Sequence, residues 1–492
     1  MRNMWLPVVS ALAGIVVFLP MNFYPAAFVF LIPLFIFFLR EEKLWRLVVG
    51  ALLFRLIFSM GTVYFTLEPI LWISSLLIFC GLPLSIFFFK RLIFKFADTE
   101  CPQIPTSCSC LLLVSLPFLW TFFDLAQAQY SLAPIYIASA GNALGSSPFL
   151  GLAALGGFVV LTFFVVLINS LLAILVLIWR RNPQVAWGFR RQVIYVLIAI
   201  IVLLFAGWQI ASFELRQNAI AYAALPNSIN IAAISTNGTL AVDQLAQLTQ
   251  ELAGQQLDLI IFPEDILNQH VGRPTSYMLG NSSTAVFQDL AKELSTNVLA
   301  SYDTLQGTTS TLKYGSTILF DQQGSIAGIH NKNRLTFAGE YWPFGNWHPS
   351  FYDWLKTRNP SIGTYAIFDQ KNADTPGEQN LLSLALGENT VSFAAPICLE
   401  IHYPTDLAAY RTQGARFIIN PSSNRWIGGG LSHFLYLTTN VKKIESVALQ
   451  LPIISSGVDD FAGIILPNGQ SQMLPYQTTG KTYNVFFGTV RY

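Results

Sequence analysis

Charge is what this sequence has least of. Asp, Glu, Lys and Arg make up 11% of its 492 residues, against about a quarter in an ordinary soluble chain. The deficit is concentrated before residue 210, where the chain is almost continuously apolar with short basic clusters between the runs; from Ser228 onward it has the composition of a soluble domain. A wholly soluble protein is therefore excluded. The net charge of +1 leaves no excess of basic side chains for a nucleic-acid surface, so no nucleic acid is expected as partner. No glycine-rich loop follows a predicted strand, which removes the usual cradle for a nucleotide phosphate. Repeats and low-complexity tracts are absent. Cysteine is scarce too: Cys80, Cys101, Cys108, Cys110 and Cys398 are all there are. The cluster at 101, 108 and 110 has no histidine or further cysteine at zinc spacing, so no metal is expected there.

The apolar half reads as membrane. A spanning helix needs about 20 mostly apolar residues. Seven candidates lie at 5–20, 26–39, 47–65, 70–89, 111–123, 150–179 and 193–210. The second and fifth are short, and the sixth is long enough to demand tilt. Arg2, then Arg40, Lys43 and Arg46, then Lys90, Arg91 and Lys95, then Arg180, Arg181, Arg190 and Arg191 fall in every second connection; the alternate connections hold only Glu68 and Asp124. That one-sidedness predicts a cytoplasmic N-terminus. Seven spans then place everything after Ile210 outside, which in a bacterial inner membrane means the periplasm. Removal of the first span as a signal peptide would leave this orientation unchanged. Arg55 falls inside the third span, where a charge must face protein or water. The outer connection 124–148 is long and mildly apolar, suited either to lying on the membrane beside the soluble domain or to an ordinary re-entrant course. These features divide the chain into a polytopic α-helical membrane domain, 1–215, and a soluble domain, 216–492.

The soluble half predicts one α/β domain. Strands are expected at 228–235, 257–262, 298–301, 391–396, 417–420 and 464–466, and a hairpin at 316–320 and 325–330. Helices are expected at 241–253, 285–294 and 435–449. Their alternation suggests a layered α/β sandwich.

Cys398 stands alone in that domain. The periplasm oxidises thiols, so a single cysteine there is either a buried small hydrophobe or a working one. It follows an apolar run in the sequence PICLE, at a predicted strand end, where backbone N–H groups beginning with Leu399 can face an oxyanion. A thiol reacts as thiolate and needs a base or a cation beside it. Glu264 closes the strand LDLIIF within FPED, and Lys332 follows another strand within HNKNRL. Taken singly, a loop glutamate and a surface lysine are the plainer readings of those two residues. Together the three lie at separate strand ends of one domain, where side chains distant in sequence can converge. His402 and His433 are set aside as bases because Glu264 is available.

Glutamate, lysine and cysteine in this order and over this length resemble the nitrilase superfamily. In that family the glutamate is the general base, the lysine stabilises the tetrahedral intermediate and the cysteine forms a thioester, on an αββα sandwich. The segment 332–343, KNRLTFAGEYWP, is more closely similar to the stretch after the catalytic lysine of apolipoprotein N-acyltransferases, keeping Leu335, Gly339, Glu340, Tyr341 and Pro343. The segment 397–401, ICLEI, resembles that family's cysteine motif, with Glu400 two positions on. The membrane half matches as well. The resemblance implies Glu264, Lys332 and Cys398 as catalytic residues, with Glu340, Glu400, Leu399 and Trp426 supporting them or lining the substrate site. It implies a phospholipid as acyl donor, a diacylated apolipoprotein as acceptor, a membrane setting and no cofactor; a monomer is expected.

Four departures bear on the substrates more than on the thiol. Leu399 stands where the family usually has tyrosine. The later motif reads SSNRWIG at 422–428, with Ser423 and Asn424 in place of Asn and Asp. The stretch 428–433 is rich in glycine. The expected C-terminal span is missing, since 485–490 is too short to cross. Two other functions therefore stay open: a membrane-tethered nitrilase-like hydrolase, in which water replaces the amine, and a non-catalytic paralogue that binds lipid or lipoprotein. Transport is disfavoured, because paired broken helices with buried acids are not seen.

Overall fold

The structure, a computed structural model, describes residues 3–63, 76–96, 106–130, 135–181, 187–240, 242–267, 282–305, 313–336, 340–341, 350, 376–425, 431–474 and 482–492. Two compact units are formed. One comprises Met1–Gln217 with Gly429–Ala448, the other Asn218–Gly428 with Leu449–Tyr492.

The first unit is helical. It contains α1 (Trp5–Phe18), α2 (Ile32–Arg40), α3 (Leu44–Thr62), α4 (Gly81–Phe96), α5 (Thr106–Tyr130), α6 (Gly157–Arg181) and most of α7 (Trp187–Ala223). Four stretches, Leu44–Thr62, Leu111–Tyr130, Gly157–Trp179 and Arg191–Ala223, are long and apolar enough to cross a membrane. Helices α1, α2 and α4 are shorter, and a 3-10 turn at Tyr24–Phe28 precedes α2. Two expected lengths change. The sixth span starts at Gly157, because 150–155 winds as a separate 3-10 turn and Gly157 takes φ +63°. The fifth, expected to be short, continues through polar residues to Tyr130. Its Asp124 and Gln127 are buried, and Gln127 Oε1 accepts from Arg55 Nη2 at 2.6 Å. The Arg55 guanidinium also lies 5.5 Å from the Phe79 ring centre and 5.9 Å from that of Phe58. Polar groups with partners inside the bundle let a helix run on where hydropathy alone would end it. Trp120 anchors the interior, meeting Phe35, Phe54 and Phe79 edge-on. By contrast, only 11% of the apolar window of α7 is buried within the chain. At about 1.5 Å per residue this helix is longer than a bilayer core is thick, and lipid is the natural cover for its apolar side chains.

The second unit is built on a ten-stranded mixed sheet. Strand β1 (Ser228–Thr236) lies beside β2 (Leu259–Glu264) and β2 beside β3 (Asn297–Leu305), all parallel. The crossovers such pairs require are α8 (Val242–Leu252) and α9 (Ser282–Leu294). An antiparallel meander follows through β4 (Lys313–Phe320) and β5 (Ile326–Asn331). The ribbon β6 (Leu382–Leu386) and β7 (Asn389–Phe393) leads to α10 (Pro404–Thr412), β8 (Ile418–Ser423), α11 (Leu431–Leu449), β9 (Ile453–Val458), β10 (Ala462–Ile465), β11 (Ser471–Leu474) and β12 (Tyr483–Arg491). Strand β12 pairs with β1 from Ser228↔Arg491 to Thr236↔Tyr483, so the run at 485–490 is a strand.

Strand alternation sorts the side chains into layers. Ile229, Ile231 and Ala233 of β1 join Phe393, Ile419, Ile454 and Ile464 between the sheet layers. Ala232 and Ile234 face the other way, against Leu245, Leu248 and Phe287 of α8 and α9. Ile418 and Ile453 meet Leu407 and Tyr410 of α10 on the opposite outer side. Helix, sheet, sheet, helix is the αββα sandwich. Its strand ends carry the candidate residues.

Candidate active site

Glu264 is the last residue of β2. The β2–β3 register shifts between Ile261 and Glu264, and Asp265 takes φ +55°. A bulge of this kind re-aims a side chain at a sheet margin. Lys332 directly follows β5, and its side chain is 1% exposed. Its Nζ donates to Glu264 Oε1 at 3.3 Å and to Glu340 Oε1 at 2.5 Å. The second oxygen of Glu340 accepts the Thr336 N–H at 2.7 Å. One buried ammonium thus sits between two partly exposed carboxylates.

Cys398 opens a 3-10 turn, Cys398–His402, at φ +49°. A non-glycine residue in this region costs about 1–2 kcal/mol and must be held there. Asn420 Nδ2 donates to Pro396 O at 2.9 Å and to Cys398 O at 3.2 Å. The thiol lies 4.0 Å from the Ser423 carbonyl oxygen at the end of β8. The first N–H groups of a helical turn have no acceptor within it, and among the described residues those of Cys398 and Leu399 are open to a ligand.

Glu400 ties the turn to the lysine loop. Its Oε2 accepts from Ile397 N at 2.7 Å and from His330 Nε2 at 3.1 Å; its Oε1 accepts from Asn333 N at 2.7 Å and from Arg334 N at 3.1 Å. Arg334 Nε and Nη2 in turn hold Asp406 at 2.6 and 3.0 Å. Glu400 therefore touches the backbone on both sides of the site rather than the reacting groups. Burial would raise its pKa, but the nearby His330 and the backbone donors outweigh that and hold it below the ordinary glutamate value.

The electrostatics couple the three central residues. Burial pushes the Glu264 carboxyl up to about 8; Lys332 opposes the shift, and Asp265 and Glu340 add to it. Burial alone would lower Lys332, yet Glu264, Glu340 and Cys398 hold it well above the ordinary lysine value, so it stays charged. The Cys398 thiol is raised first by burial and then by Glu264, with Lys332 pulling the other way. At rest the sulfur is a neutral thiol beside an acid–base group and a fixed cation. Among the described residues no group of three His, Cys, Asp or Glu side chains is placed to hold a metal.

Glu264, Lys332 and Glu340 are in direct contact, and Glu264 and Lys332 act on Cys398. Leu399 lies in the nucleophile turn and Glu400 behind it. Trp426 and residues 428–430 lie outside the described residues. Sequence reasoning missed His330, Asn420 and the Arg334–Asp406 pair. Asn420 carried a faint signal, a polar residue closing an apolar strand; the others act through contacts between distant segments.

Two family models cover most of the chain. Residues 10–171 match "Apolipoprotein N-acyltransferase N-terminal domain" and residues 229–458 match "Carbon-nitrogen hydrolase". By these matches the chain is similar to the apolipoprotein N-acyltransferases. Curated apolipoprotein N-acyltransferases agree. That of Agrobacterium fabrum is 29% identical over 160 residues, 32% of this chain and 27% of its own length. Apolipoprotein N-acyltransferase 1 of Treponema denticola is 26% identical over 169 residues, 33% of this chain and 28% of its own. The matched stretches thus span about a quarter of these relatives. Among solved structures, Saccharomyces cerevisiae Nit3, a member of branch 10 of the nitrilase superfamily, aligns at 14% identity and TM-score 0.39 over 54% of this chain and 91% of its own. A carbon-nitrogen hydrolase from Helicobacter pylori G27 aligns at 14% identity and TM-score 0.38, over 54% and 89%. Apolar helices long enough to cross a membrane, followed by an α/β domain that matches the carbon-nitrogen hydrolase model, are the arrangement that these matches share with the chain.

Proposed function

We propose that Cys398 carries a fatty acyl group from a membrane phospholipid to the N-terminal amine of a diacylglyceryl-cysteine on an apolipoprotein. The observation that carries this reading is the contact of Lys332 with both Glu264 and Glu340 beside a thiol held at positive φ. In the first half-reaction Glu264 takes the thiol proton as Sγ attacks the ester carbonyl carbon. Lys332 and the Leu399 N–H stabilise the oxyanion. The intermediate collapses with cleavage of the ester C–O bond. Glu264 returns the proton to the departing oxygen, releasing a lysophospholipid and leaving a Cys398 thioester. In the second half-reaction the lipopeptide amine attacks the thioester carbon and yields its proton to Glu264. The C–S bond then breaks, giving an amide and regenerating the thiol. Neither half requires a cofactor.

The same reading places the chain in a bacterial inner membrane as a monomer with seven spans at 1–215 and the catalytic domain, 216–492, in the periplasm. Both substrates are lipid-anchored, which gives a physical reason to hold the domain at the outer leaflet. The test is to incubate the full chain in phospholipid vesicles with a diacylated lipopeptide. A triacylated peptide bearing an N-terminal amide, formed by the native chain and not by Cys398→Ala, is expected. Free fatty acid in its place would identify the tethered hydrolase.

A further inference from the structure

Beyond the catalytic residues, the first unit contains a cation with no ion-pair partner among the described residues. Lys443, on α11, is half-buried. Its Nζ donates to Ser146 Oγ at 3.2 Å, and among the described residues no carboxylate lies within ion-pair distance of it. Burial holds it below the ordinary lysine value, with no carboxylate opposing the shift. Ser146 Oγ donates onward to Asn440 Oδ1 at 2.6 Å, and Asn22 Nδ2 reaches the Ser146 carbonyl at 3.1 Å. The turn is packed hard onto α11: a Cβ on Gly145 would stand 2.6 Å from Asn440 Cβ. Ser146 is thus fixed with a lysine at its hydroxyl and an amide at its carbonyl. Among the described residues, two Nζ hydrogens and one Nδ2 hydrogen remain to be given.

The surroundings indicate what takes them. Asn22 follows α1 and Ser146 precedes α6, so both lie in the connections that hold no lysine or arginine. Met21 and Phe23, on either side of Asn22, are 68% and 51% exposed. Large apolar side chains standing free beside polar donors, at the end of a membrane-crossing bundle, form the pattern of a membrane interface, where acyl chains and charged headgroups meet. A half-buried cation at that depth attracts phosphate.

We propose that Lys443, with Asn22 and Ser146, binds the phosphate of an outer-leaflet phospholipid. The site depends on the membrane placement of the first unit and not on the thioester chemistry. It is therefore tested in the full-length Cys398→Ala chain, which cannot turn over. Native mass spectrometry from detergent micelles reads the binding of phosphatidylglycerol, with diacylglycerol as a probe that keeps the tails and lacks the phosphate. Lys443→Met is expected to weaken phosphatidylglycerol binding roughly tenfold, and Lys443→Arg, which keeps the charge, by no more than about threefold. Diacylglycerol binding should be the same in all three chains. Equal phosphatidylglycerol affinity in Lys443→Met would overturn the proposal. So would a parallel loss of diacylglycerol binding, which would mean a purely apolar or folding effect. Displacement of the lipid by inorganic phosphate at equal concentration would reassign the site to a free anion and also sink the lipid assignment.

Discussion

Removing the Glu400 carboxylate should loosen the site from behind. In Glu400→Ala the N–H groups of Ile397, Asn333 and Arg334 and the Nε2–H of His330 lose their shared acceptor. Each unsatisfied buried donor costs about 1–3 kcal/mol. Water entering the space left by the side chain recovers part of that, so the net loss is about 3–5 kcal/mol. For a domain of this size that corresponds to a fall of about 10 °C in apparent Tm. Glu400→Gln keeps one oxygen. With it turned to Asn333 and Arg334, the amide NH2 faces the Ile397 N–H and leaves it unpaired, for about 1–2 kcal/mol. The chemistry should suffer more than the fold, because Glu400 sets the spacing of the lysine loop and the cysteine turn. A shift near 1 Å costs about 100-fold in rate. Near-ultraviolet circular dichroism during a fixed-rate thermal scan, together with thioester formation followed by intact mass, reads both quantities. Glu400→Ala melting within about 2 °C of native, equivalent to about half a kcal/mol, and reacting within about threefold would refute the reasoning.

Other perturbations have defined directions. Because Glu264 must be ionised to accept the thiol proton and its pKa is pushed up to about 8, thioester formation should rise with pH through that region; a flat profile from pH 6 to 9, a window of roughly three decades in proton activity, would count against Glu264 as base. Glu340→Gln removes a charge that raises Glu264, so the acid limb should move to lower pH in a pH–rate profile. Lys332→Met leaves two half-buried carboxylates without their cation and should cut thioester formation about 100- to 1,000-fold, with a lower Tm; a variant reacting at the native rate would remove lysine from the mechanism. Arg55→Met strips Gln127 of its donor and Asp124 of a nearby cation. It should destabilise the chain by about 3–5 kcal/mol, while the double change Arg55→Met with Asp124→Leu recovers part of the loss in a thermal scan.

Much of this architecture can be read without coordinates because its signals are local. A period-two apolar pattern marks β1, and strand ends mark Glu264, Lys332 and Cys398. What cannot be read depends on partners far along the chain. Strand β9, IISSGV, carries too few branched residues outside its first pair to announce itself. Glu400 gives no local hint that it binds backbone sixty-odd residues upstream. The length of α5 follows from Arg55 meeting Gln127, a contact hydropathy cannot contain. Likewise, the helical spacing of α11 shows that a face is buried but not that residues 429–448 join the first unit.

The central claim is a covalent acyl group on Cys398. The full chain is mixed with phospholipid in the absence of lipopeptide, quenched in acid and weighed intact, beside Cys398→Ala. The account predicts a fatty-acyl increment on the native chain alone, mapped to the peptide containing Cys398 and removed by neutral hydroxylamine. A folded native chain that gains no such mass, or a Cys398→Ala chain that gains it equally, would contradict it.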